Sequence, residues 1–170
     1  GTMAGDIKIW DANGEGEINS LDRIRQDLTD IPQIVYGVNL GITWKQFDLS
    51  LLFQGQAKVI NTIQETWVDP SSGGAGNLMQ WWTEDMWTPE NTDGTKPRLG
   101  TPNKINGTTF TNINAAFFKL KNAEIGYTLP VAVREKIGVA NARVYLSGTN
   151  LFSFDHMRGM GIDPEATGSG

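Results

Sequence analysis

Twelve residues near the start of the chain carry its sharpest chemical pattern. Asp11-Ala12-Asn13-Gly14-Glu15-Gly16-Glu17-Ile18-Asn19-Ser20-Leu21-Asp22 puts oxygen-bearing side chains at the first, third and fifth positions, glycine at the sixth, an apolar residue at the eighth and a carboxylate at the twelfth. That is the spacing of a calcium loop. A hard cation takes several oxygens from one tight turn, the glycine permits the reversal, and the seventh residue, Glu17, offers its backbone carbonyl. The candidate ligands are Asp11, Asn13, Glu15, Glu17 and Asp22, with calcium as the cofactor. Asp22 stands where such loops commonly carry a bidentate glutamate. The competing reading of the same residues is a glycine-rich acidic turn without metal.

A second group is aromatic. Trp67, Trp81, Trp82 and Trp87 share one long polar stretch with Asp69, Glu84, Asp85, Glu90 and Asp93. Indole faces stack on sugar rings and carboxylates accept hydroxyl hydrogen bonds, so these tryptophans are candidate ligand contacts. The structural alternative is that they pin the loop to itself, burying large area, with Met79–Trp87 forming a short helix. Glu84 with Asp85, or Asp163 with Glu165, has the composition of a glycosidase acid–base pair, but that chemistry depends on a carboxyl separation which sequence does not fix. Carboxylates in polar loops read as solvated, and no catalytic residue is assigned. Asn106-Gly107-Thr108 is an N-glycosylation acceptor only in a eukaryotic secretory setting and is read as a turn.

Composition removes other chemistries. The chain has 170 residues, 14 basic and 19 acidic side chains and a net charge of -5, without the cationic surplus that contact with a phosphate backbone requires; nucleic acid is not expected as a partner. Cysteine is absent, which excludes disulfides and thiolate sites. The one histidine, His156, has no second imidazole with which to share a metal. No apolar run is long enough for a membrane-spanning helix. Spanning β-strands need only about 9–11 residues with one apolar face, so the mean hydropathy of -0.31 does not bear on them.

The elements that must position these residues alternate with period two. From Ile34 to Trp44 the even positions are Ile, Tyr, Val, Leu, Ile and Trp, while the odd positions are small or polar except Val35. Such alternation predicts a strand apolar on one side only. After Lys45-Gln46 it resumes with Phe47, Leu49, Leu51 and Phe53 against Asp48, Ser50 and Gln54, with Leu52 the exception, which predicts a hairpin over 34–57. A third strand is expected over Phe117–Leu129, where Ile125, Tyr127 and Leu129 stand on the opposite parity from Phe118 and Leu120. Either a bulge near Asn122 and Ala123 resets the phase, or the strand begins late. Pro130, one helical turn over Val131–Ile137 and Gly138 then lead to a fourth strand from about Ala142 to Phe154, with Val144, Leu146, Phe152 and Phe154 on one face.

The connections are unequal. Residues 45–46 and 130–141 are short links, whereas 1–33, 58–116 and 155–170 are long and rich in Gly, Asn, Thr and Trp. Short and long links therefore fall at opposite ends of an antiparallel sheet, as in outer-membrane barrels. The expected organisation is a loop with the calcium-like motif (1–33), a hairpin (34–57), a long Trp-rich loop (58–116), strand-turn-strand (117–154) and a final loop (155–170), all within one partial barrel domain. The fold class is all-β. A soluble glycan-binding β-sandwich with a calcium-stabilised loop is the alternative.

In order along the chain, Gly5-Asp6-Ile7-Lys8 with the acidic loop, Tyr36-Gly37-Val38-Asn39-Leu40-Gly41, Phe47-Asp48-Leu49-Ser50, Phe53-Gln54-Gly55, Leu120-Lys121-Asn122, Gly126-Tyr127-Thr128-Leu129-Pro130, Arg143-Val144-Tyr145, Gly148-Thr149-Asn150-Leu151-Phe152 and Gly161-Ile162-Asp163-Pro164-Glu165 resemble the C-terminal part of the SusC/RagA-type TonB-linked outer-membrane transporters. Members of that family are several times longer, carry an N-terminal plug, and end in a further strand with a terminal aromatic residue. The resemblance therefore implies a fragment of a transmembrane β-barrel with long external loops, located in the bacterial outer membrane and in contact with membrane lipid. It further implies import of oligosaccharides or peptides, a SusD-like lipoprotein lid, energy from TonB acting through the absent plug, and no catalysis.

Overall fold

In a computed structural model, the structure describes residues 3–63, 78–100 and 108–165. In chain order the principal elements are β1 (Ile34–Trp44), β2 (Phe47–Ala57), β3 (Ile60–Thr62), α1 (Gln80–Thr83), β4 (Asn112–Asn114), β5 (Phe117–Thr128), α2 (Val131–Lys136) and β6 (Arg143–Asp155). The chain divides into two compact units. One comprises Gly1–Ile31, Ile60–Asn114 and Met157–Gly170; the other comprises Pro32–Val59 and Ala115–His156.

The second unit is a four-stranded antiparallel sheet in the order β1-β2-β5-β6. Its register follows the side-chain alternation. Val38 pairs with Phe53, Leu40 with Leu51 and Ile42 with Leu49, while Leu49 pairs in turn with Ile125 and Ile125 with Leu146. Most apolar positions thus fall on one face, with Val35, Leu52 and Tyr145 among those on the other; a slip of one residue on any strand would reverse that strand's faces. Lys45, with φ 55°, supplies the left-handed residue that the tight β1–β2 turn needs.

The phase conflict within β5 is resolved by a bulge. Leu52 pairs with Asn122 and Phe53 with Leu120, so Lys121 is the extra residue, one position before the predicted site. The apolar phase passes from Tyr127 and Ile125 to Leu120 and Phe118 on the same face. On β6 the irregularity lies between Thr149 and Phe152, where Asn150 has φ 51°.

Antiparallel strands dominate, as the all-β class requires. The helical turn after Pro130 is α2; it gives way at Gly138, whose φ of 72° suits a residue without Cβ. The Arg134 side chain closes this link, donating to the carbonyls of Leu129 and Ala140 and to the Asn141 side chain. Among the described residues the sheet is open, with β1 and β6 at its edges.

In the first unit, β3 and β4 form a two-stranded ladder, Ile60 opposite Asn114 and Thr62 opposite Asn112. The long link over 58–116 is thus not structureless in its described parts. The first unit has its own core, in which Ile7, Ile63 and Trp82 are buried and Leu78, Met79, Trp81, Phe110, Ile113 and Ile162 pack around them.

Candidate functional site

The acidic loop folds as a chain of side-chain-to-backbone turns. The Asp11 carboxylate accepts from the amides of Gly14 and Gly16, at 2.7 Å each, and the Asn13 side chain accepts from the Glu15 amide at 3.1 Å. Gly14 and Gly16 have φ of 75° and 89°, conformations that L side chains avoid. Asn19 caps a 3-10 turn over Ser20–Asp22, and Asp22 closes the box by accepting from the Asn19 amide at 2.7 Å. The other Asp22 oxygen accepts from the Ala12 amide at 2.9 Å. These amides, that of Asn19 foremost, hold the Asp22 carboxyl below the usual aspartate range.

Asp11, Asn13, Glu15 and Asp22 have the oxygen chemistry of a hard-cation site. Their placement differs from the expected one. Glu15 turns to the Asn19 side-chain amide, Asp22 is engaged by backbone amides, and among the described residues no three His, Cys, Asp or Glu side chains are grouped to hold a metal ion. Glu17 is exposed.

The tryptophans divide. Trp67 lies outside the described residues. Trp82 is 2% exposed and meets Trp81 and Phe110 edge-on at 5.5 and 5.7 Å, so it is a core side chain whose faces are not open to a sugar. Trp81 and Trp87 are half-buried. The Trp87 ring lies against Gly5, where a Cβ would come within 2.5 Å of it, and the Gly5 carbonyl accepts from the Arg98 amide at 2.8 Å. An Arg98–Asp6 ion pair at 2.6 Å fastens the same two segments. The expected short helix over Met79–Trp87 is confined to α1.

The carboxylate pairs have local partners. Glu84 accepts from Gln80 at 2.7 Å. Asp85 accepts from the Thr95 hydroxyl and amide, and the hydroxyl hydrogen bond is the main cause of its lowered pKa. Asp163 accepts from the Glu165 amide at 2.9 Å.

A polar recess of about 300 Å³ opens between residues 26–30 and the β3–β4 ladder, and the pattern reading missed it. Asn112 frames it, donating to Gln26 at 2.7 Å and accepting from the Thr62 hydroxyl at 2.9 Å. Thr29, Asp30 and Asn61 add to a lining of amides, hydroxyls and one carboxylate beside the apolar Ile60, suited to a ligand rich in hydrogen-bonding groups. The only advance signal was the density of Asn and Thr.

The two faces of the sheet differ sharply. On one, Tyr36, Phe53, Phe118, Phe152 and Phe154 lie toward the end where the long links leave, with Phe53 stacked on Phe118 at 5.5 Å. Trp44, Phe47 and Tyr127 lie at the tight-turn end, with Phe47 and Tyr127 at 4.7 Å. Aliphatic Val38, Leu40, Ile42, Leu49, Leu51, Ile125 and Leu146 fill the band between, and Leu40, Ile42, Ile125 and Leu146 are exposed. The other face carries Asn39, Thr43, Ser50, Gln54 and Ser147. There Arg143 reaches across β5 above Gly126, where a Cβ would collide with its guanidinium, to Asp48 on β2 and, at 2.7 Å, to Glu124.

No protein-family model matches the chain. It is 34% identical over 162 residues to TonB-dependent receptor P3 of Formosa agariphila, covering 92% of this chain and 15% of that protein. It is 30% identical over 172 residues to TonB-dependent receptor P26 of the same organism, covering 99% and 17%. Along nearly its whole length, this chain is thus similar to a segment of TonB-dependent receptors. Among solved structures, this chain resembles a RagAB peptide transporter at 27% identity and a TM-score of 0.69, covering 95% of this chain and 18% of that one. It also resembles the RagAB peptide importer in its open-open state at 28% identity and a TM-score of 0.64, covering 88% and 16%. These matches support the SusC/RagA type. The chain spans about one-sixth of the length of the curated relatives it matches.

Proposed function

We propose that the four-stranded sheet is a sector of barrel wall from a bacterial outer-membrane nutrient importer of the SusC/RagA type. Its apolar face meets lipid and its polar face meets the lumen. The observation that carries this reading is the aliphatic band, exposed at its centre and bounded by aromatic rings at both ends. A spanning barrel needs that outer surface to match acyl chains and the two interfaces. An eleven-residue strand at ~3.3 Å per residue, tilted by ~40°, rises ~28 Å, enough for an apolar band ~25 Å tall. A soluble β-sandwich would bury those same positions beneath a second sheet.

On this reading the tight turns are periplasmic and the first unit is built from external loops. The intact importer works with a SusD-like lipoprotein and draws energy from TonB through its plug, without catalysis. Peptides are favoured over oligosaccharides as cargo, because the solved neighbours are a peptide importer and transporter and Trp82 is withdrawn from stacking. The loop over 11–22 is assigned a structural calcium on its donor spacing and its two left-handed glycines; binding would require Glu15 and Asp22 to exchange their present donors for the ion. The deciding experiment is uptake of labelled oligopeptides and oligosaccharides by cells making the full-length parent, with and without TonB. Peptide uptake that vanishes without TonB is expected; failure to take up either class would overturn the reading.

A further inference from the structure

The short link between β5 and β6 exposes side chains that water does not explain. Val131, Val133, Ile137 and Val139 are 57%, 41%, 57% and 40% exposed. A six-residue helix is too short to bury them on itself, and they lie on a connection, where polar residues are the norm. The link stands at the same end of the sheet as the β1–β2 turn: the Thr128 amide donates to the Gln46 carbonyl at 2.8 Å and the Leu129 amide to the Ala142 carbonyl at 3.0 Å. That is also the end carrying the Trp44, Phe47 and Tyr127 rings.

Its charge runs against that of the chain. Lys45, Arg134 and Lys136 outnumber Glu135 across the turn and the helix, within a protein of net charge -5. Arg134 is committed to holding the link together. Lys136 is exposed, and the Lys45 ammonium lies 4.8 Å from the centre of the Trp44 ring. An interfacial tryptophan beside a lysine whose stem follows apolar surface while its head seeks polar groups is the arrangement of a membrane boundary.

We infer that α2 and the Lys45 turn form an interfacial anchor on the leaflet at the tight-turn end. Val131, Val133, Ile137 and Val139 enter the headgroup–acyl boundary, and Lys45 and Lys136 hold anionic phospholipid headgroups. These apolar side chains stand at the same end of the sheet as the aromatic rim, and the local positive charge complements phosphate. The inference rests on the barrel-wall reading, and the test separates the two.

The experiment uses the full-length parent in nanodiscs, with an environment-sensitive fluorophore on a single cysteine at Ile137→Cys or, as the wall control, Leu146→Cys. Lipids with brominated tails serve as quencher. Both positions are solvent-exposed in this chain, so neither label opens a core. Quenching at both is expected. Quenching at 146 with none at 137 would overturn the anchor and point to coverage by another part of the transporter; no quenching at 146 would overturn the wall reading itself. A Lys45→Gln/Lys136→Gln double variant supplies the charge arm. Replacing phosphatidylcholine by an equal mixture with phosphatidylglycerol should raise the thermal midpoint of the parent and leave that of the variant unmoved. Equal rises in both would overturn headgroup binding by these lysines.

Discussion

The Arg143 guanidinium passes over Gly126 and hydrogen-bonds Asp48 two strands away, its Nε lying 3.0 Å from the carboxylate, although the partners are 95 residues apart in sequence. The contact needs both the register of β2, β5 and β6 and a residue without Cβ at 126. Arg143→Gln and Asp48→Asn should each lower the thermal midpoint of the full-length protein, and the double variant should fall by clearly less than the sum. Groups that act as one unit are non-additive, so strict additivity would show that the pair is not coupled. Gly126→Val should mimic Arg143→Gln.

On the apolar face, Leu40→Arg should destabilise the protein folded into vesicles by ~2–4 kcal/mol, the cost of a cation near a bilayer midplane. Ser50→Arg, on the opposite face, should have a much smaller effect. Denaturant titration in lipid measures both, and equal costs would contradict the assignment of faces.

Trp82→Ala should cost ~3–5 kcal/mol, as for other large aromatic truncations in cores, and should open the first unit to limited proteolysis. A variant that resists protease as well as the parent would show that Trp82 does not hold this unit together.

Asp22 gives a pH dependence with a definite sign. Its folded-state pKa is depressed by backbone amides, so its contribution is present above the unfolded aspartate pKa and lost as pH falls through the lower folded value. Asp22→Asn should therefore flatten the acid limb of stability below about pH 4. An unchanged limb would show that the capping box does not contribute.

Calcium should raise the thermal midpoint if the 11–22 loop binds it in the folded state, and Asp11→Ala should abolish the rise. Identical midpoints with and without calcium in both proteins would leave the loop as a turn held only by its own amides.

The four long strands were legible because one apolar face leaves a period-two trace, and even the parity break between Leu120 and Ile125 announced a bulge. Its position at Lys121 was less legible, since several neighbouring residues could have been extruded with the same change of phase. Arg143, Asp48 and Glu124 were visible only as polar residues on the proper parity; their meeting depends on which strands are neighbours. Trp82 showed the limit of residue type as a guide, because a tryptophan suited to stacking on a ligand is equally suited to filling a core. The recess beside Asn112 joins segments more than eighty residues apart, and no local spacing encodes it.

Tyr36 extends across Gly55 to donate to the Phe117 carbonyl at 3.0 Å, just as Arg143 extends across Gly126, but on the opposite face and near the opposite end. One cross-tie links β1, β2 and β5; the other links β2, β5 and β6. Stripping either edge strand therefore means breaking a bond to a strand with which it forms no ladder, so under mechanical load the sheet should tear in overlapping threes rather than unzip one strand at a time.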